Sequence, residues 1–257
     1  MTVILIAEGN TPEMAAGGDA GSAAFVRSFA AVAPQAEIRI CAPYAGAAAK
    51  EVFAAVDGIV FTGSGVPWSV DAPEAAPLRA AMELALDSGR PIWGSCNGLQ
   101  LASVVLGGAV GASPNGIEVG LARELQRTEA GRAHPMLAGR QDGWAVPCIH
   151  RDEVQRLPEG AVLLAGNAHS PVQAMAYEQG GVRFWGAQYH PELRITDVGR
   201  NVQENAVFCG HASLAADCAA AETDAGAAAR LGTSPQALAP ETRLRELANW
   251  VAMVTGT

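Results

Sequence analysis

The chain is poor in several things, and each shortage excludes something. Its 257 residues hold five cysteines, Cys41, Cys96, Cys148, Cys209 and Cys218, with no Cys-x-x-Cys pair and an odd total. This is neither a secreted-type disulfide framework nor a common zinc spacing, and the thiols read as reduced. Lys and Arg number 17 against 26 Asp and Glu, a formal charge of -9. A groove for nucleic acid needs clustered cations, so no nucleic-acid partner is expected. No apolar run approaches the roughly 18 residues that cross a bilayer. The start, Met1-Thr2-Val3-Ile4-Leu5-Ile6, lacks the basic and long apolar regions of a signal peptide. No membrane partner is expected, and the predicted location is cytoplasmic. There is no G-x-x-x-x-G-K-[ST] loop, and Gly63-x-Gly65 lacks the third glycine of a dinucleotide fingerprint, so no cofactor is expected. Aromatics make up only 5%, so the alanine-rich helices are expected to pack closely.

What remains is an ordinary globular composition, 49% hydrophobic, long enough to bury a core without disulfides or metal. Strands are predicted at Val3–Ala7, Glu37–Cys41, Gly58–Thr62 and Pro91–Gly94. Helices are predicted around Ser22–Ala33, Ala47–Ala54, Ala75–Ser88 and Leu99–Leu106. Such alternation argues for an α/β fold with a parallel sheet and helices on both faces. From Gly116 to Ala187 the apolar runs shorten (Ala161–Ala165, Val172–Ala176, Val182–Ala187), which reads as antiparallel additions. After Arg200 the chain turns helical, with Ala212–Leu231 and Glu241–Val254 the clearest pieces.

Two short stretches carry chemistry. Gly94-Ser95-Cys96-Asn97-Gly98 is a G-x-C-x-G turn between a predicted strand and a predicted helix, the cysteine counterpart of G-x-S-x-G. A nucleophile on so sharp a turn needs small neighbours, and a helix N-terminus favours a thiolate and an oxyanion. Phe184 to Tyr189 reads as a buried strand ending at His190. In His190-Pro191-Glu192 an extended backbone, kept so by Pro191, is expected to put His190 and Glu192 on one face. One ring nitrogen then takes the carboxylate and the other serves the cysteine. A cysteine, a base and an orienting acid are the equipment for acyl transfer through a thioester.

These residues carry a resemblance. The chain resembles the class I, or triad, glutamine amidotransferases, above all the glutaminase domain of GMP synthases and its stand-alone relatives. Gly94 to Gln100 is similar to that family's nucleophile turn. Gly186-Ala187-Gln188-Tyr189-His190-Pro191-Glu192 is similar to its terminal motif. Phe61-Thr62-Gly63-Ser64-Gly65 resembles its oxyanion loop. His150-Arg151-Asp152-Glu153-Val154 with Leu157-Pro158-Glu159-Gly160, and Asn167-Ala168-His169-Ser170-Pro171 with Val172-Gln173-Ala174, resemble its intermediate segments. The likeness covers roughly residues 1–195.

The resemblance implies a flavodoxin-like, mostly parallel sheet and a triad of Cys96, His190 and Glu192. Cys96 would attack the amide carbon of a γ-glutamyl group. The backbone N–H groups of Asn97 and of Ser64 or Gly65 would hold the oxyanion. His190 would protonate the leaving nitrogen, and water would release glutamate. By family position Gln100, His150, His169, Ser170 and Pro171 fall on the substrate side. Asn97 stands where many relatives carry Leu, Tyr or Trp, a change in the pocket wall that admits a different leaving group. Two enzyme readings follow. One is a self-sufficient hydrolase of glutamine or an N-substituted γ-glutamyl amide; the other is the ammonia-supplying subunit of a two-chain synthase. A non-catalytic binding protein on the same fold is the reading from a different class.

Residues 1–199 are expected to form the catalytic domain. Residues 200–257 read as a helical extension packed on it, with a lid or a homodimer surface as alternatives. Cys209-Gly210-His211 with Cys218 offers too few ligands for zinc, so no metal is expected. His134 and His169, taken without the resemblance, read as loop residues.

Overall fold

Val3-Ile4-Leu5-Ile6 is branched and apolar on both sides of the chain, the mark of a strand covered on both faces. The computed structural model describes residues 1–205 and 211–256. Its strands are β1 (Val3–Ala7), β2 (Glu37–Cys41), β3 (Gly58–Phe61), β4 (Pro91–Ser95), β5 (Ala109–Ala112), β6 (Glu118–Arg127), β7 (Trp144–His150), β8 (Asp152–Arg156), β9 (Val162–Gly166), β10 (Ala174–Tyr177) and β11 (Arg183–Ala187). The helices before the second half of the sheet are α1 (Pro12–Ala16), α2 (Gly21–Val32), α3 (Lys50–Ala54), α4 (Ala76–Asp87) and α5 (Asn97–Val105). Then come α6 (Glu129–Ala133), α7 (Ile195–Glu204), α8 (Ala212–Ala220), α9 (Ala225–Arg230), α10 (Pro235–Leu238), α11 (Pro240–Arg243) and α12 (Arg245–Thr255).

Nine strands form one sheet in the order β2-β1-β3-β4-β11-β10-β9-β6-β7, and β5 pairs separately with β8. The first five of that order run parallel, and β10, β9, β6 and β7 continue antiparallel. Alternate side chains of β1 enter opposite layers. Ile4 and Ile6 join Phe25, Phe29 and Trp250 under α2 and α12, whereas Leu5 and Ala7 join Phe53, Leu78 and Leu99 under α3, α4 and α5. This is an α/β fold with helices on both faces.

Several expectations need correction. The predicted helix over 212–231 is two helices, because Asp224 caps a new start by accepting from Gly226 N–H and Ala227 N–H at 2.7 and 2.9 Å. The piece over 241–254 breaks at Leu244 into α11 and α12. The long strand β6 and its partner β7 carry no clean apolar alternation in the sequence. Their register shifts between Ala122 and Leu125, where Glu124 takes φ 50°, so the inside–outside period is interrupted.

Candidate active site

Strand β4 and helix α5 meet at Cys96, whose backbone sits at φ 49°, ψ -102°. Such a conformation is strained for any L residue and persists only where the surroundings enforce it. The flanking glycines enforce it by closeness. A Cβ on Gly94 would come within 2.7 Å of the Gly98 carbonyl carbon, and one on Gly98 within 2.5 Å of the Phe61 carbonyl oxygen. Cys96 N–H donates to Ala187 O at 2.7 Å, tying the turn to β11. The thiol lies half-turned toward Ile149 O at 3.7 Å.

The histidine and its carboxylate arrive differently from the sequence expectation. Strand β11 ends at Ala187, and His190-Pro191-Glu192-Leu193 is a turn, closed by Leu193 N–H to His190 O at 3.3 Å. Pro191 at the second turn position favours that reversal, so it is the turn and not an extended strand that brings the two side chains together. His190 Nδ1 donates to Glu192 Oε1 at 2.7 Å. The second carboxylate oxygen accepts from Ser95 Oγ at 2.9 Å, and Ser95 accepts in turn from Trp93 Nε1 at 2.9 Å. A relay of buried donors thus aims Glu192. His190 Nε2 has no hydrogen-bond partner among the described residues. Burial works against charge on this ring, but the Glu192 carboxylate and the Cys96 thiol outweigh it and lift His190 to about 10. Burial pushes the other described thiols up, Cys41 and Cys218 to about 11 and Cys148 further, which leaves them inert.

Above this pair runs the loop 62–66. Gly63 lies so close that a Cβ there would meet His190 Cε1 at 2.5 Å. Asn10 holds the loop: its Oδ1 accepts from Ser64 Oγ at 2.9 Å and from Gly65 N–H at 2.8 Å. Glu8, itself buried, accepts from Asn10 N–H at 3.0 Å and from Gly21 and Ser22 N–H at the start of α2. The Gly65 N–H is therefore spent, and of the two expected loop donors Ser64 N–H is the one with no hydrogen bond among the described residues. Neither Glu8 nor Asn10 is legible in the sequence as part of this arrangement, because a lone acid after an apolar strand gives no sign that it will cap a distant helix.

On the substrate side, Gln100 Nε2 donates to Asp152 O at 2.6 Å and to Gln188 Oε1 at 3.2 Å. His150 has neither ring nitrogen free, since Nε2 meets Glu118 Oε2 at 2.8 Å and Nδ1 meets Asp152 O at 3.1 Å. Strands β6 and β7 place Glu118 directly opposite His150. Ser170 is buried and its hydroxyl donates to Glu153. His169 is half-buried with Nε2 unpartnered among the described residues, and Pro171 is exposed.

Glu118 was not foreseen. Burial raises its carboxyl, but hydrogen bonds from His150, Asn167 and Gln173 outweigh this and hold it below the ordinary carboxylate value. Glu118, His150 and His169 come within metal-ligating reach of one another. The Glu118 oxygens are already filled by His150, Asn167, Gln173 and the Cys148 thiol, so the cluster reads as a hydrogen-bond network under the site. Of the zinc candidates weighed above, Cys209 lies outside the described residues and Cys218 is buried behind α7.

A strained cysteine at a strand–helix turn, faced by a carboxylate-bound histidine, has a family counterpart. The model of glutamine amidotransferase class I matches residues 30–208. The chain belongs to this family. Among curated members, γ-glutamyl-L-1-hydroxyisopropylamide hydrolase of a Pseudomonas species is 39% identical over 155 residues, 59% of this chain and 52% of that protein. The glutamine-hydrolysing GMP synthase of Thermomicrobium roseum is 34% identical over 162 residues, 60% of this chain and 27% of the synthase. The chain thus spans about half the length of the first relative and about a quarter of the second. A glutamine amidotransferase of Thermotoga maritima has the same fold, with a TM-score of 0.65 at 16% identity over 100% of this chain and 99% of that one. Among the described residues no helix is long and apolar enough to cross a membrane.

Proposed function

We propose that this chain hydrolyses the γ-amide of glutamine or of an N-substituted γ-glutamyl amide through a γ-glutamyl thioester. The observation that carries the reading is the Cys96–His190–Glu192 arrangement, with Nδ1 of the ring engaged by Glu192 at 2.7 Å and Nε2 left without a partner. The Cys96 proton already rests on Nε2, a thiolate–imidazolium pair that the raised His190 favours, and the sulfur attacks the amide carbon. The carbonyl oxygen becomes an oxyanion held by the N–H groups of Asn97 and Ser64. His190, now imidazolium, returns the proton to the leaving nitrogen as the C–N bond breaks. Water, deprotonated by His190, then attacks the thioester, and glutamate leaves with the thiol restored.

The raised His190 has a measurable consequence. The imidazolium must donate to the leaving nitrogen, so kcat/KM is expected to fall as pH rises through about 10. The same ring contributes stability that is complete below its unfolded value near 6.5, declines above it and is lost through about 10. A pH–rate profile together with denaturation midpoints from pH 6 upward checks both.

Asn97 supports the N-substituted amide. Its Oδ1 is buried without a hydrogen-bond partner directly after the nucleophile. A leaving amine that carries a hydroxyl or ammonium group supplies the missing donor. Asn97→Leu is expected to lower kcat/KM for such amides by about tenfold, the worth of one hydrogen bond to a buried polar group, with glutamine turnover changed less. The likeness to the hydroxyisopropylamide hydrolase favours the same reading. The likeness to GMP synthases favours a second, in which the chain supplies ammonia to a synthase partner.

Glutamate release by the purified chain, from glutamine and from γ-glutamyl alkyl-, hydroxyalkyl- and polyamine amides, separates the two. Turnover of one N-substituted amide that vanishes in Cys96→Ala supports the stand-alone hydrolase. Silence across the panel, with Cys96 still labelled by a glutamine-mimicking alkylator, overturns it in favour of the synthase subunit.

A further inference from the structure

We propose that the C-terminal helices α11 and α12 are a positioning device for the catalytic turn, with Arg243 and Glu246 as its two positioning residues. The inference rests on the triad reading above and extends it to a part of the chain that carries no catalytic group.

The two residues flanking His190 are both held from this arm. On one side, Tyr189 Oη donates to Glu246 Oε1 at 2.9 Å. On the other, Arg243 Nη1 donates to Pro191 O. Arg243 and Glu246 are three residues apart, and they are joined through Arg140. The Arg140 guanidinium donates to both Glu246 oxygens, at 2.9 and 2.6 Å, and to Arg243 O at 3.1 Å. Two further grips complete the frame: His190 N–H donates to Pro147 O at 2.8 Å, and Ser28 Oγ donates to Glu192 O at 3.2 Å.

Packing alone does not call for these groups. Leu244, Leu247, Trp250 and Val251 already supply the apolar surface that seats the arm against Phe29 and the sheet. Arg243 and Glu246 are buried charges, 5% and 0% exposed, and such groups are weak contributors to stability compared with apolar side chains of the same volume. Arg243 Nε is buried without a hydrogen-bond partner among the described residues, so its guanidinium is held for the contact it makes at Pro191 and for the Glu192 charge nearby. Geometry is what the turn needs. A catalytic ring displaced by about 1 Å can lose about a hundredfold in rate.

The test reads the Cys96–His190 pair without a substrate. The rate of carboxamidomethylation of Cys96 by iodoacetamide is followed against pH in the full chain, with Cys96→Ala as the blank, for Arg243→Met, Arg243→Lys and Tyr189→Phe. Thermal midpoints are recorded for each. In Arg243→Met the rate at pH 7 is expected to fall about tenfold, and the half-maximal pH to rise, because a loosened imidazolium stabilises the thiolate less. Arg243→Lys is expected to recover a large part of both. Tyr189→Phe, which keeps the ring and removes only the bond to Glu246, is expected to show a smaller shift in the same direction. In all three kcat is expected to fall more than KM changes.

A merely structural arm would lower the thermal midpoint and leave the alkylation profile where it is. An unchanged profile in Arg243→Met overturns the proposal. If that variant does not fold, an unchanged profile in Tyr189→Phe overturns it. Absence of any γ-glutamyl turnover in the parent chain counts against the proposed function, while the alkylation profiles still decide the role of the arm.

Discussion

Cys96→Ala is expected to lower glutamate release by about four orders of magnitude or more, because the thioester route is lost and only binding and oxyanion stabilisation remain. No other described cysteine can replace it. Cys148 is the nearest candidate by sequence position to Ile149, whose carbonyl the Cys96 thiol faces, but burial and the Glu118 carboxylate keep its thiol protonated. Cys96→Ser is expected to fail nearly as completely, since a hydroxyl beside a ring built to pair with a thiolate is a far weaker nucleophile. The fold should survive these changes, and a glycine at the same position should be better tolerated than alanine. At φ 49°, ψ -102° alanine keeps the strain that cysteine carries, whereas glycine is free of it. Cys96→Gly is expected to be more stable than Cys96→Ala by about 1–2 kcal/mol. Glutamate assay and chemical denaturation of the three variants check the set. Equal stability of the glycine and alanine forms would remove the claim that strain is stored at the nucleophile.

Glu246→Leu is expected to destabilise the protein by about 3–5 kcal/mol, the usual consequence of leaving one partner of a buried ion pair alone. Arg140 and Glu246 side chains are 4% and 0% exposed and meet at 2.6 Å, so no water replaces the lost carboxylate. In a chain of this length the change corresponds to a thermal midpoint roughly 10 °C lower. The combined variant Arg140→Met/Tyr189→Phe/Glu246→Leu removes the guanidinium and the hydroxyl left unpaired, though Arg243 O loses its donor, and is expected to recover a large part of the loss. Thermal denaturation of the single and combined variants measures the asymmetry. A combined variant as unstable as the single one would mean that apolar volume, and not the orphaned charge, sets the effect.

The strands and helices of the first half were legible in the sequence because their periods are unbroken. Val3–Ala7 and Glu37–Cys41 run as predicted, and α2 and α4 shift by one residue at each end. The later strands were harder. Glu118–Arg127 buries Glu118 and exposes Glu124, so charge no longer marks the outer face. The helical tail was read as longer pieces than it is, since Asp224 and Leu244 sit in stretches whose neighbours are good helix formers.

The sequence alone located the proposed nucleophile, base and acid, because each lies in a short motif whose chemistry is local: small residues around Cys96, and a carboxylate two positions from His190. Tertiary structure decided everything that depends on residues far apart in the chain. It turned His190-Pro191-Glu192 into a reversal, spent the Gly65 amide on Asn10, paired His150 and Ser170 with Glu118 and Glu153, and brought Arg243 and Glu246 to the two sides of His190. The reason is physical. A buried polar group must find a partner wherever the fold provides one, and the partners of Glu8, Glu118 and Glu246 lie as far as 106 positions away, beyond any local pattern.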